Sequence, residues 1–129
     1  MSISRISFQA LPVDDQDRAI AFYRDIFGMT VQTDAPYEPD GWRWIFLGIP
    51  GHDSRLQLAR RDPGAKRDMP ILALVSDDVD ADCDRWRAQG VTITAGPDDA
   101  PWAKGVRWVL LKDSEDNVIF VESSKGEAT

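Results

Sequence analysis

The chain holds one histidine and one cysteine in 129 residues, and each scarcity excludes a class of chemistry. A lone Cys83 cannot close an intramolecular disulfide and suits a reducing compartment, so a cytoplasmic protein is expected. A lone His52 cannot supply a two-histidine, one-carboxylate iron site from one chain, nor a Ser/His/Asp arrangement where it stands. No apolar run approaches the length that spans a bilayer, so no membrane partner is expected. The first residues lack a basic segment followed by an apolar stretch, so no signal peptide is expected. The glycines form no phosphate-cradling pattern. Positive charge is also short, with 15 Lys and Arg against 22 Asp and Glu and a net charge of −7. A phosphate backbone is repelled on average, so nucleic acid is not an expected partner, whereas a cationic small molecule is mildly attracted.

What the chain does have is a repeat. Val13-Asp14-Asp15, Ala19, Gly28 and Val31 return as Val75-Ser76-Asp77, Ala81, Gly90 and Ile93, each 62 positions later. Arg43-Trp44 returns as Arg107-Trp108, 64 positions later. A near-fixed interval held from strand through helix to strand indicates a duplicated supersecondary unit. Residues 3–13 read as a strand with Ile6, Phe8 and Ala10 on one face. Asp14 or Asp15 caps a helix over Gln16–Phe27, whose apolar stripe is Ala19, Phe22, Tyr23 and Ile26 and whose stop is Gly28. Strands are predicted at 29–33, 42–48 and 54–60, with a Pro/Gly loop at 34–41. In the second unit, strands are predicted at 70–75, 91–94, 106–112 and 117–123, with a loop at 95–105. Asp77 or Asp78 caps a helix with Val79, Cys83 and Trp86 on its apolar stripe. Residues 125–129 read as a frayed tail.

The stretch from Val13-Asp14-Asp15-Gln16 through Ala21-Phe22-Tyr23 to Ile26-Phe27-Gly28 closely resembles the helix signature of the vicinal oxygen chelate superfamily. That superfamily contains glyoxalase I, bleomycin-resistance proteins, fosfomycin-resistance enzymes and extradiol dioxygenases. Asp113-Ser114-Glu115-Asp116-Asn117 resembles its closing turn, with Ser114 and Asp116 where Pro and Gly are usual. Arg43-Trp44-Ile45 and Pro101-Trp102 are similar to one glyoxalase-like branch. The resemblance implies an α+β fold of two βαβββ modules that form a curved mixed sheet around a cleft. It implies one domain over residues 1–129, with module one at about 1–61, a linker at 62–69 and module two at about 70–124. It also implies a homodimer, and leaves open whether the modules pair within one chain or across two.

Metal-dependent members of that superfamily take up to four ligands from the first and last strands of each module. Mapped by motif, those positions are Phe8, Gln57, Pro70 and Phe120, of which only Gln57 carries an oxygen. No metal and no other cofactor is therefore expected, unless the true ligands lie elsewhere, for instance at Gln9 or Glu122. Five tryptophans form a surplus. Trp86 belongs to a helix core, while Trp42, Trp44, Trp102 and Trp108 lie in or beside strands that would wall a cleft. Tyr37 and Trp102 sit in loops that could close over a ligand. Alternation places Arg43 and Arg107 on the face opposite Trp44 and Trp108, without saying which face is which. The expected ligand-binding set is Phe8, Tyr37, Trp42, Trp44, Gln57, Trp102, Trp108, Phe120 and Glu122. The expected function is binding of a small aromatic or cationic molecule, as in bleomycin-resistance proteins. The alternatives are a glyoxalase-like lyase, isomerase or dioxygenase, metal-dependent or metal-free with Glu122 as acid/base, and an interaction module with a vestigial cleft.

Overall fold

A computed structural model describes residues 2–124 of the chain. The chain divides into two compact units, with the boundary between Ala65 and Lys66. The predicted tail at 125–129 lies outside the described residues.

The N-terminal unit runs β1 (Gln9–Val13), α1 (Gln16–Phe27), β2 (Thr30–Pro36), β3 (Arg43–Gly48) and β4 (Arg55–Arg60). Its sheet order is β1-β4-β3-β2, with β1 parallel to β4 and the other pairs antiparallel. The C-terminal unit repeats the plan with β5 (Pro70–Ser76), α2 (Val79–Ala88), β6 (Ile93–Asp99), β7 (Arg107–Lys112) and β8 (Val118–Ser123). Its order is β5-β8-β7-β6, with β5 parallel to β8. The expected α+β, twofold βαβββ architecture is present.

The two helices start on side-chain caps. The Asp15 carboxylate accepts from the Arg18 amide, and that of Asp78 accepts from the Ala81 amide. Each satisfies an N–H that the first helical turn leaves without a carbonyl. Gly28 ends α1 in the left-handed region at φ 72°, which only glycine adopts without strain. The α2 stripe of Val79, Cys83 and Trp86 is buried as expected. On α1, Ala19 and Tyr23 are buried and Phe22 and Ile26 half-buried.

Three strand limits differ from expectation. The first strand begins at Gln9, because its only partner is β4 and the ladder ends at Gln9 opposite Leu56. Residues 2–8 have no strand to pair with, and Ile3 and Ile6 are exposed. The face that β1 buries is Leu11 and Val13, not that of Ile6, Phe8 and Ala10. The strands β2 and β6 run on into the predicted loops, through Asp34-Ala35-Pro36 and Ala95 to Asp99. Both are sheet edges, where proline is tolerated, and both ladders contain register shifts that absorb residues unable to pair in step.

The repeat interval is 63 rather than 62 where the ladders define it. Leu11 pairs with Leu58 in β1/β4, and Leu74 with Val121 in β5/β8. The caps, Asp15 and Asp78, keep the same interval. The shorter α2 brings Gly90 one place early, and this produces the 62-residue match of the two glycines.

A buried polar residue locks the N-terminal unit. Gln16 is 6% exposed. Its Nε2 donates to the Arg43 carbonyl (2.8 Å) and the Leu58 carbonyl (3.1 Å), and its Oε1 accepts from the Arg43 amide (3.0 Å). One side chain thus ties the start of α1 to β3 and β4. The C-terminal unit has Val79 at the matching place, and there the Arg107 amide donates to Ser123 Oγ instead (2.8 Å). Gln16→Ala removes these three hydrogen bonds, and is expected to lower stability by about 2–3 kcal/mol in urea denaturation. A loss below about 0.5 kcal/mol would show that water replaces the amide.

Candidate functional site

Each unit carries its own candidate face, set by the first residue of its third strand, β3 or β7. Arg43 donates from Nη2 to Asp17 (2.7 Å) in the first turn of α1, and from Nε to Asp34 (2.9 Å) on β2. Arg107 does the same in the C-terminal unit, reaching Asp80 (2.7 Å) on α2 and Asp99 (3.2 Å) on β6. Each arginine therefore lies on the helix side of its sheet. Because side chains alternate along a strand, Trp44 and Trp108 must lie on the side away from the helix. The question that alternation left open is thereby answered in both units. Ile45 and Leu47 follow Arg43 into the buried layer, and Val109 and Leu111 follow Arg107.

On the open face of the N-terminal unit the aromatic side chains form a row. Tyr37 lies 5.2 Å from Trp44, Trp44 5.4 Å from Phe46, and Phe46 5.0 Å from Phe8, measured between ring centroids. Arg55 closes the row with its guanidinium 4.5 Å from the Phe46 centroid, a cation–π distance. Its other contacts are the Ser7 carbonyl and hydroxyl. Gln57 stands opposite Phe46 in the β3/β4 register and so shares this face. Trp42 precedes β3 and stacks instead with Arg60, at 4.4 Å from the ring centroid. Among the described residues no ring contact joins it to Trp44.

The open face of the C-terminal unit carries Trp108, Phe120 and Glu122. Trp108 is paired with Glu122, and Phe120 with Leu110, in the β7/β8 ladder. Trp102, between β6 and β7, leans over this face at 6.5 Å from Trp108 and 6.0 Å from Phe120. Trp102 and Tyr37 are well exposed, as loop residues over a ligand would be. The indole N–H of Trp108 is shut off from solvent and, among the described residues, has no acceptor.

The metal positions can be checked against the ladders. Ala10 pairs with Gln57 and Ala73 with Phe120, so the residue matching Phe8 in the C-terminal unit is Ile71 rather than Pro70. The donor set is then two phenyl rings, a branched alkyl group and one amide. These residues do not fit a divalent cation. Among the described residues, no three or more of His, Cys, Asp and Glu gather in a way that could hold a metal ion. His52 sits exposed in the β3–β4 turn.

Sequence reading missed two groups here. Gln16 sits in a motif but shows no pattern that marks it as a staple. Arg55 lies one turn of chain before Gln57 and gives no signal until the strands pair. Cys83 is buried on α2, and desolvation pushes its thiol above the ordinary range. It should therefore stay unreactive toward a disulfide reagent such as DTNB until denaturant is added, and prompt native labelling would contradict this packing.

The Asp17 and Asp80 carboxylates are held below the usual range, chiefly by the hydrogen bond from their arginine; its charge adds to this and burial opposes it. A depressed carboxylate adds stability above its unfolded pKa of 3.8 and loses it as pH falls through the folded value. Both pairs are solvent-exposed, so the effect is small and screened by salt. The stability gap between the native chain and an Asp17→Asn, Asp80→Asn variant should narrow on acidification below 3.8 and in high salt. A gap constant with pH in urea denaturation would contradict this.

Comparison with known proteins places these features. The family described as the Glyoxalase/Bleomycin resistance protein/Dioxygenase superfamily matches residues 4–119. The crystal structure of TnmS3, an antibiotic binding protein from Streptomyces sp. CB03234, is 33% identical, with a TM-score of 0.81. The match covers 97% of this chain and 99% of that one. A glyoxalase/bleomycin resistance protein from the same Streptomyces is also 33% identical, over 88% of this chain and 96% of that one, with a TM-score of 0.70. A superfamily member from Sphaerobacter thermophilus DSM 20745 shares the fold at a TM-score of 0.83, with 24% identity over 96% of this chain and 100% of the other.

Proposed function

This chain belongs to the glyoxalase/bleomycin resistance protein/dioxygenase superfamily, and from that premise we propose that it binds a small organic molecule on its aromatic sheet faces without a metal. The observation that carries the reading is the row Tyr37, Trp44, Phe46 and Phe8 on one open face. Aromatic walls with few polar groups suit a flat, partly apolar guest. The polar groups are Gln57 and Arg55 on that face and Glu122 on the open face of the C-terminal unit. Similarity to a protein described as antibiotic-binding supports the same reading. The donor set at the four superfamily ligand positions supports a metal-free one.

Edge exposure supports a homodimer. The edge strand β5 leaves Ile71 and Val75 exposed, and the arm before β1 leaves Ile3 and Ile6 exposed. Open apolar edges invite pairing with another chain, and a second copy is the occupant this reading expects. Light scattering after gel filtration should give twice the chain mass. A monomer at micromolar concentration would remove the dimer from the proposal.

The binding itself is tested by a thermal-shift and tryptophan-fluorescence screen of aromatic compounds, including antibiotics. A hit should raise the melting temperature and change emission, and Trp44→Ala should weaken it by about tenfold or more. Elemental analysis of the purified protein, followed by Ni²⁺, Zn²⁺, Fe²⁺ and Mn²⁺ titration, should find no stoichiometric metal. Silence across a broad panel overturns the binding reading, and a tightly bound stoichiometric cation overturns the metal-free one.

A further inference from the structure

The C-terminal unit contains a polar group that its own fold leaves unsatisfied. Trp108 Nε1 carries a hydrogen-bond donor with neither solvent nor, among the described residues, an acceptor. A buried donor without a partner costs stability, and natural folds retain few of them. An aromatic residue without the N–H, such as phenylalanine, would carry no such donor, so the donor calls for an explanation in use. Glu122, its cross-strand partner on the same face, does not take the proton.

The neighbouring rings show how a partner could arrive. Trp102 stands 6.5 Å from Trp108 with the ring planes 34° apart, and 6.0 Å from Phe120 with the planes 43° apart. A flat ring held between two others needs roughly 7 Å between their centres, twice the contact distance of carbon atoms. Outward movement of Trp102 by about an ångström would admit one. Trp102 is 57% exposed and lies between strands, so it is free to make that movement. A ring lying there would bring its own substituents beside Trp108.

Resting on the small-molecule reading above, we infer that the Trp108 indole N–H is the donor that fixes the ligand on this face. The ligand class it selects is a flat aromatic molecule bearing a neutral exocyclic oxygen acceptor, such as an aryl ketone. A carboxylate is disfavoured, because Glu122 stands next in register on the same face and repels a second negative charge. An aromatic hydrocarbon is disfavoured too, because it would leave the donor buried and unpaired.

Three probes of one shape separate these classes: 9-fluorenone, fluorene and fluorene-9-carboxylate. In ¹⁵N-tryptophan-labelled protein the chain gives five indole N–H signals, one per tryptophan. The Trp108 signal, identified by its loss in Trp108→Phe, should move downfield with fluorenone and exchange more slowly with solvent. Fluorenone should bind about tenfold more tightly than fluorene or the carboxylate, and Trp108→Phe should abolish the preference over fluorene while keeping that over the carboxylate, which Glu122 sets. Equal binding of ketone and hydrocarbon, or an unmoved Trp108 signal, overturns the anchor and leaves the broader binding reading standing. Binding of none of the three probes overturns the anchor, and the wider panel then decides the binding reading separately. If Trp108→Phe fails to fold, the ketone-to-hydrocarbon ratio and the signal shifts in the native chain still decide.

Discussion

The arginine that opens the third strand of each unit decides which residues are available for binding. Its guanidinium is drawn to an aspartate in the first turn of the helix and to another on the neighbouring edge strand. With that side chain committed to the helix side, the pleat assigns every later residue of the strand to a face. Odd-numbered residues after Arg43 pack under the helix, and even-numbered ones face away from it, where Phe46 is itself buried among its neighbouring rings. The energy of the ion pairs is modest at the surface. Their value is in register, since a slip of one residue would bury the tryptophans and expose the isoleucine and leucine of the core.

The two units meet this constraint with different residues around the same frame. In the N-terminal unit Gln16 holds the backbone amide of the key arginine from the helix. In the C-terminal unit Ser123 holds it from the adjacent strand. The demand is the same in both cases, a partner for one buried N–H at the start of a strand. Either a long amide from one side or a short hydroxyl from the other meets it. Similarity between the repeats therefore fades at these positions although their geometry is kept.

That explains how much could be read from the residues alone. The helices were legible, because caps, stripe and glycine stop act within a few residues of each other. The twofold plan was legible too, because the caps and the Arg-Trp pairs recur. The length of β1 was not, because it is limited by where its parallel partner β4 begins, at Arg55, 48 residues away from Ser7. The extra length of β2 and β6 was hidden by Pro36 and Pro97, which read as loop residues until the strands prove to be edges. The interval of 62 came from matching residue types such as Asp15 with Asp77 and Gly28 with Gly90, whereas the cap that acts in the second helix is Asp78 and that helix is shorter. One residue of error in the interval was enough to choose Pro70 in place of Ile71 among the candidate ligand positions. The aromatic surplus was visible as composition, but only pairing in the sheet separates the Tyr37–Trp44–Phe46–Phe8 row from Trp42, which stacks with Arg60.

The helix side of each sheet has little freedom, since it must bury leucine, isoleucine and valine and keep the aspartate partners of one arginine. The open side carries no such duty, and it is there that the units diverge. At the matched positions Gln57 and Phe120, one unit has an amide and the other a ring. One face bears a guanidinium on phenyl rings, and the other bears a carboxylate beside an indole donor. A chain that needed only stability would fill such positions with branched aliphatic residues that satisfy themselves. It would not retain a donor that has no acceptor among the described residues, the exposed ring of Trp102, and a cation held by a serine and a ring. These are groups whose hydrogen-bonding and stacking capacity is left over after folding, and left-over capacity of that kind is what a ligand can use.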